Sequence, residues 1–252
     1  MIGVFDSGVG GLSVLREIRA RLPRADLLYV ADRGRAPYGI RTLAEVSTIA
    51  HEVTNWLMDA GATCVVIACN TASAAALHSI RDRHPDLSVV GMEPAVKPAA
   101  EGTASGTVAV YATAATFQGE LFESVVSRFA SGVEVIRKAC PDWVELVERG
   151  VITGPEVERA VGPVVSESVD AGADRIVLGC THFSFLAPMI ERLSGVAVID
   201  PAPAVAAQTA RVVSETRSAG ETILSASGDL GEFATLARQL ADFNQPVIRF
   251  GK

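Results

Sequence analysis

Lysine is scarce in this 252-residue chain. Lys97, Lys138 and Lys252 are the only three, and arginine supplies the other 19 of its 22 basic residues. A pyridoxal cofactor is held through a lysine Schiff base. Only Lys97 and Lys138 lie within the body of the chain, and no such cofactor is expected. Long hydrophobic runs are also missing, which excludes a membrane span. The first residues, MIGVFDSGVGG, have neither the basic region nor the apolar stretch of a secretory leader. A soluble, cytoplasmic protein is the expectation. Positive charge is in deficit as well. A formal net charge of −7 argues against nucleic acid or an anionic membrane as partner. Metal-ligand spacings are absent: no CxxC or HxxxH occurs, and Cys64 and Cys69 would project to opposite faces of a straight strand. In a reducing compartment Cys64, Cys69, Cys140 and Cys180 are expected as free thiols.

What the chain does have is a regular alternation of short apolar runs and amphipathic stretches. Strands are expected at 2–5, 27–31, 63–68, 88–91, 108–112, 133–137, 175–179, 196–199 and 222–225. These runs are rich in Val, Ile and Leu without polar alternation, as in parallel sheets covered on both faces. Between two of them, Thr42 and Glu45 read as a capping box. It would open a helix whose apolar stripe is Val46, Ile49, Val53, Trp56, Leu57 and Ala60. The pattern is that of a doubly wound α/β fold.

The chain also echoes itself. Gly61-Ala-Thr-Cys-Val-Val-Ile-Ala-Cys69-Asn-Thr71 is matched by Gly172-Ala-Asp-Arg-Ile-Val-Leu-Gly-Cys180-Thr-His182, and two earlier strands recur in the same order at a similar offset. Two similar α/β domains are expected, at 1–93 plus 205–252 and at 94–204. Proline-bearing crossings lie near residues 93–98 and 200–203, and the last strand and helix return to the first domain. Ligands of open α/β sheets sit beyond the carboxyl ends of the strands, so two facing domains would enclose one site.

The candidate chemistry falls at those strand ends. Cys69 and Cys180 each follow a buried strand and precede a helical segment, where the dipole favours thiolate. One such cysteine reads as packing; two, repeated at the same place, read as function. A Cys–His hydrolase would leave Cys69 idle. A pair of thiol acid/bases uses both, because inverting a stereocentre needs a group on each face. Asp6, before the glycine-rich Ser7-Gly8-Val9-Gly10-Gly11, is either catalytic or a helix cap, and the turn could bring backbone amides close to an anion. Pro37-Tyr38-Gly39 is either a carboxylate-binding loop, with the Tyr38 hydroxyl and Gly39 amide, or an ordinary turn. Periodicity does not separate Glu145 from Glu148.

At these motifs the sequence resembles the glutamate racemases of the aspartate/glutamate racemase superfamily. The resemblance runs nearly end to end through Val4–Gly11, Pro37–Gly39, Ile67–Ser73, Glu93-Pro94, Ala139–Pro141, Leu178–His182 and Ser227–Asp229. It implies that Cys69 takes the α-proton of D-glutamate and Cys180 that of L-glutamate. Asp6 would assist the first thiol, and His182 and Glu148 the second. Asp6, Ser7, Pro37, Tyr38, Gly39, Asn70, Thr71, Thr113, Thr116, Thr181 and His182 would form the substrate site. It further implies a homodimer that supplies D-glutamate for peptidoglycan. The chain departs from the pattern at Arg33, where a small residue is usual, at Phe183-Ser184, and at Asp200-Pro201-Ala202. Racemases or isomerases acting on aspartate, a hydantoin or maleate are the rival readings, and a binding protein without catalysis is a more distant one.

Overall fold

A computed structural model describes residues 1–213 and 218–251. Among the described residues ten strands form two parallel sheets. The first sheet contains β1 (Ile2–Asp6), β2 (Leu27–Ala31), β3 (Cys64–Ile67), β4 (Ser88–Gly91), β9 (Thr222–Ala226) and β10 (Val247–Arg249). The second contains β5 (Thr107–Ala112), β6 (Glu134–Ala139), β7 (Arg175–Gly179) and β8 (Ala197–Ile199). Around the first sheet and leading out of it run α1 (Leu12–Arg21), α2 (Leu43–Asp59), α3 (Asn70–Arg83) and α4 (Val96–Gly102). The second half carries α5 (Ala114–Gln118), α6 (Glu120–Phe129), α7 (Pro141–Glu148), α8 (Pro155–Asp170) and α9 (Ala187–Ser194), followed by α10 (Ala202–Val212) and α11 (Leu230–Ala241).

The strand orders reveal the repeat. The first sheet runs β10-β9-β2-β1-β3-β4 and the second β6-β5-β7-β8. Four successive strands of the first sheet, 2-1-3-4, are reproduced as 6-5-7-8 in the second, so β3 and β7, which precede Cys69 and Cys180, occupy the same place in each. The late strand β9 pairs with β2, Leu27 opposite Thr222, and so returns to the first sheet as expected. Among the described residues no helix is long and apolar enough to cross a membrane.

Alternation about the first sheet builds two cores. Val4, Tyr29, Cys64 and Val66 belong to one buried cluster, whereas Phe5, Val30, Val65, Ile67 and Cys69 belong to another. The five-residue spacing of Cys64 and Cys69 thus places them on opposite faces of one sheet. Thr42 caps α2 with both halves of the capping box formed, and Val46, Ile49, Val53 and Leu57 are buried beneath it. Trp56 is only half-buried and Ala60 is exposed, so the apolar stripe is narrower than its spacing suggests.

Two strands depart from expectation. β6 has only exposed and half-buried residues because it is an edge strand with β5 alone as neighbour. It also runs to Ala139, two residues beyond the expected end. β10, a three-residue edge strand after Pro246, is absent from the sequence reading: it is too short and too exposed to form an apolar run.

Candidate active site

Registers within each sheet bring the strand ends level. Asp6 lies beside Ala31, and Phe5 lies beside Ile67, so the chain leaves β1, β2 and β3 at one rim. Ala112 lies beside Ala139 and Gly179, which aligns the ends of β5, β6 and β7 in the same way. Between the two rims is a cavity of about 930 Å³. Ser7, Pro37, Tyr38, Gly39, Cys69, Asn70 and Thr71 line it from the first half. Thr113, Glu148, Cys180, Thr181 and His182 line it from the second. Thr116 and Asp6 stand behind this surface, 1% and 0% exposed.

The two thiols have different supports. Cys69 is the N-cap of α3, and its Sγ accepts the Ala72 amide proton at 3.4 Å. That donor and the helix dipole favour thiolate. Burial opposes them, with the Asp6 carboxylate adding to it, and the Cys69 thiol is pushed well above its ordinary pKa. Cys180 does not precede an α-helix: the residues that follow, Thr181–Leu186, are a 3₁₀ segment that the cysteine side chain does not cap. The dipole argument therefore applies to Cys69 alone. Cys180 instead faces an imidazole, His182 Nδ1 at 3.7 Å from Sγ.

Behind that imidazole is Glu148. His182 Nε2 lies 2.7 Å from Glu148 Oε1, which also accepts the Val9 amide proton at 2.8 Å. Glu148 Oε2 accepts from Arg33 Nε at 3.2 Å. Burial pushes Glu148 up, but His182, the Val9 amide and Arg33 outweigh it and hold the carboxyl below its usual range. Burial likewise opposes charge on His182, yet bonding to Cys180 and Glu148 prevails and raises it well above an ordinary histidine. Glu145 also lines the cavity, but Glu148 is the one that reaches the histidine.

Asp6 does not cap α1, whose N-cap is Gly11 with no side-chain bond. Its Oδ1 accepts the Gly8 amide proton at 2.9 Å, and its Oδ2 accepts from the Thr181 hydroxyl at 3.0 Å. Burial is the largest influence on it and leaves its pKa raised, partly offset by His182 and these two donors. A residue next to Cys180 is thus bonded to the carboxylate on the Cys69 side.

The glycine-rich turn admits side chains of the opposite half. A Cβ on Gly8 would lie 1.8 Å from Glu148 Oε1, and one on Gly10 would lie 2.4 Å from Thr181 Oγ1 and 2.5 Å from His182 Nδ1. The anion held at this turn is therefore the protein's own Glu148.

Around the rest of the cavity, Thr71 Oγ1 lies 3.0 Å from Thr113 Oγ1, and Thr113 Oγ1 lies 2.9 Å from Thr116 Oγ1. These hydroxyls join the halves. Asn70 is 3% exposed, and among the described residues neither its Oδ1 nor its Nδ2 has a protein partner. The Tyr38 hydroxyl, read from sequence as available to a ligand, donates instead to Asp32 Oδ2 at 2.6 Å. The same oxygen accepts from Arg35 Nε at 2.6 Å, and Asp32 Oδ1 accepts from the Ser227 hydroxyl at 2.9 Å. Tyr38 lines the cavity while its proton is committed to this anchor. Gly39 packs on Thr113, within 3.0 Å of a would-be Cβ.

Sequence reasoning missed Arg33 and Asp32 as members of the cluster. The available signal was their place at the end of β2, level with Asp6. Cys140 is buried, its thiol raised to about 12 by burial first and by Cys180 nearby; Cys64, also buried, is raised to about 11. Among the described residues no three His, Cys, Asp or Glu side chains form a metal-binding group.

Comparison with known proteins gives the family. The family model described as Asp/Glu/Hydantoin racemase matches residues 2–209. A glutamate racemase from Roseiflexus is 47% identical over 248 residues, 95% of this chain and 91% of that protein. The crystal structure of glutamate racemase from Thermus thermophilus in complex with beta-chloro-D-alanine superposes with a TM-score of 0.81 at 34% identity, covering 99% of this chain and 96% of the other. That of the Francisella tularensis glutamate racemase in complex with D-glutamate gives 0.86 at 26% identity, covering 99% and 97%. The chain belongs to the Asp/Glu/hydantoin racemase family.

Proposed function

We propose that the protein interconverts L- and D-glutamate without a cofactor, through two thiols acting on opposite faces of the α-carbon. The observation that carries this reading is the pair Cys69 and Cys180: each follows the equivalent strand of a repeated sheet, and both open onto one cavity. From L-glutamate, the Cys180 thiolate removes the α-proton and the Cys69 thiol delivers a proton to the other face. From D-glutamate the roles reverse. With Glu148 ionised, His182 carries its proton on Nε2, so Nδ1 is free to take the proton of the Cys180 thiol. Asp6, behind Cys69, is a carboxylate of raised pKa beside a thiol that must lose a proton.

The substrate is held by the hydrogen-bonding groups left around the thiols. Asn70 brings a buried amide with no other partner. Ser7, Thr71, Thr113 and Thr181 bring hydroxyls, Gly39 an amide, and Pro37 and Tyr38 a wall. Thr116 orders Thr113 from behind. Each member of the site belongs to one of two units, 1–93 plus 205–252 and 94–204, whose strands are those of the two sheets. A cytoplasmic homodimer supplying D-glutamate for peptidoglycan is the role that fits the relatives.

Purified protein assayed in parallel with L- and D-glutamate, L- and D-aspartate, a hydantoin and maleate tests the substrate. Racemisation of glutamate well above the others is expected. Preference for any of the others would assign the same two-thiol site to a different substrate.

A further inference from the structure

We propose that Arg33 is a positioning residue for the Cys180 half of the reaction: its guanidinium fixes the Glu148 carboxylate, and through it the proton on His182. The inference rests on the roles proposed above for Cys180, His182 and Glu148. Arg33 follows β2 in the first half, whereas Glu148 ends α7 in the second. Its Nε donates to Glu148 Oε2 and its Nη1 to Glu232 Oε2, each at 3.2 Å. The side chain is 13% exposed and lines the cavity. Bound on one side to α11 and on the other to Glu148, it is a clamp and not a loose surface charge.

What the clamp does follows from the two oxygens of Glu148. Oε1 already serves His182 Nε2 and the Val9 amide. Arg33 occupies Oε2, so the carboxylate cannot rotate without breaking three bonds. A fixed anion keeps the proton on Nε2 and turns Nδ1 towards the sulfur, the geometry that a base for the Cys180 thiol needs. The other groups facing this pair are Asp6 from β1, Tyr29 from β2 and Cys180 after β7, with Glu232 reaching it only through Arg33. All of these are acidic. Among the described residues Arg33 is the one permanent cation at this pair, so its removal leaves Glu148 easier to protonate.

The sign of the pH effect follows. Protonated Glu148 accepts Nε2–H only as a neutral, weaker acceptor and no longer stabilises a protonated His182, so turnover from L-glutamate falls on the acid side as Glu148 gains a proton. Without the cation that gain occurs at higher pH. In Arg33→Met and Arg33→Gln the acid limb of kcat for L-glutamate should move up by about one pH unit, the low end of what a neighbouring opposite charge supplies. At a pH on that limb, kcat from L-glutamate should fall about tenfold, with a smaller change from D-glutamate. Arg33→Lys, which keeps the charge, should restore most of the limb. Gln keeps length and a donor, and carries the test should the Met variant fold poorly. A limb unmoved in the neutral variants, or shifted as far in the Lys variant, would overturn the proposal. Cys180→Ala run alongside separates the two readings. Racemisation retained there would bring down the two-thiol assignment itself, and with it the role of Arg33. Racemisation lost there while the limb stays fixed in the Arg33 variants would overturn Arg33 alone.

Discussion

At the scale of single residues the site is asymmetric although the fold is repeated. Cys69 rests on a helix N-terminus with a buried carboxylate behind it; Cys180 rests on an imidazole backed by Glu148. Inversion needs both, so Cys69→Ala and Cys180→Ala are each expected to abolish racemisation about as completely as the double variant. Cys64→Ala should retain it, at a stability cost of ~1 kcal/mol. Activity in either of the first two variants would refute the assignment. The supports also predict different pH behaviour. Burial and Asp6 raise the Cys69 thiol, so its thiolate fraction grows with pH above neutrality. Turnover from D-glutamate, which starts at that thiol, is therefore expected to keep rising in kcat as pH increases above neutrality. The equilibrium constant ties the two kcat/KM values together, so pH profiles of kcat are the measurement to make. Asn70 gives a third expectation. Its amide is buried and unpartnered in the free protein, so Asn70→Ala removes no internal bond. Stability should hold or rise slightly, while kcat/KM falls by about 10- to 100-fold, the worth of a hydrogen bond to a charged ligand. A large loss of melting temperature with unchanged kinetics would make Asn70 a structural residue.

At the scale of elements, the turn between β1 and α1 shows why the glycines are there. Gly8 has no positive φ, so alanine suits its backbone, and what forbids a side chain is Glu148 Oε1, 1.8 Å from the would-be Cβ. That atom can move aside only by breaking its bonds to His182 and Val9. Gly8→Ala is therefore expected to lose about 100-fold in turnover, as misplacing a catalytic group by an ångström does, at a stability cost of about 1–3 kcal/mol for the broken bonds. Collapse of stability together with activity would assign the turn to packing. The loop after β2 offers the opposite case. Asp32, 1% exposed, ties down Tyr38, Arg35 and Ser227, so Asp32→Ala should cost about 2–4 kcal/mol in denaturant unfolding. These elements also mark what sequence could reveal. The inner strands were legible because a strand covered on both faces is a run of Val, Ile and Leu, and Cys69 and Cys180 were legible because the run stops at them. β10 was not, since a three-residue edge strand buries too little to leave a pattern. Nor were the bonds from Thr181 to Asp6 and from Arg33 to Glu148. They join residues far apart in the chain, and no local spacing encodes which side chains meet across a cavity.

At the scale of the whole molecule, the repeat is what makes a two-base reaction possible. The order 2-1-3-4 recurs as 6-5-7-8, and each copy delivers one cysteine to the shared cavity, so neither thiol has to travel. A single base would have to swing from one face of the α-carbon to the other, or the intermediate would have to turn over between proton transfers. Both alternatives predict that some of the original hydrogen returns to the product, or that solvent hydrogen enters the substrate without inversion. Two fixed thiols predict something else. The thiol that donates has exchanged with solvent before the substrate arrives, and the proton removed by its partner stays on the far side of the planar intermediate. In D₂O, the product of early turnover should therefore carry deuterium at Cα while unreacted substrate keeps protium, from either enantiomer. Mass spectrometry after chiral separation, within the first few per cent of conversion, reads this directly. Substantial protium in the early product would show that one group serves both faces. The duplicated architecture would then have to be explained by substrate binding, even if both cysteine variants were inactive.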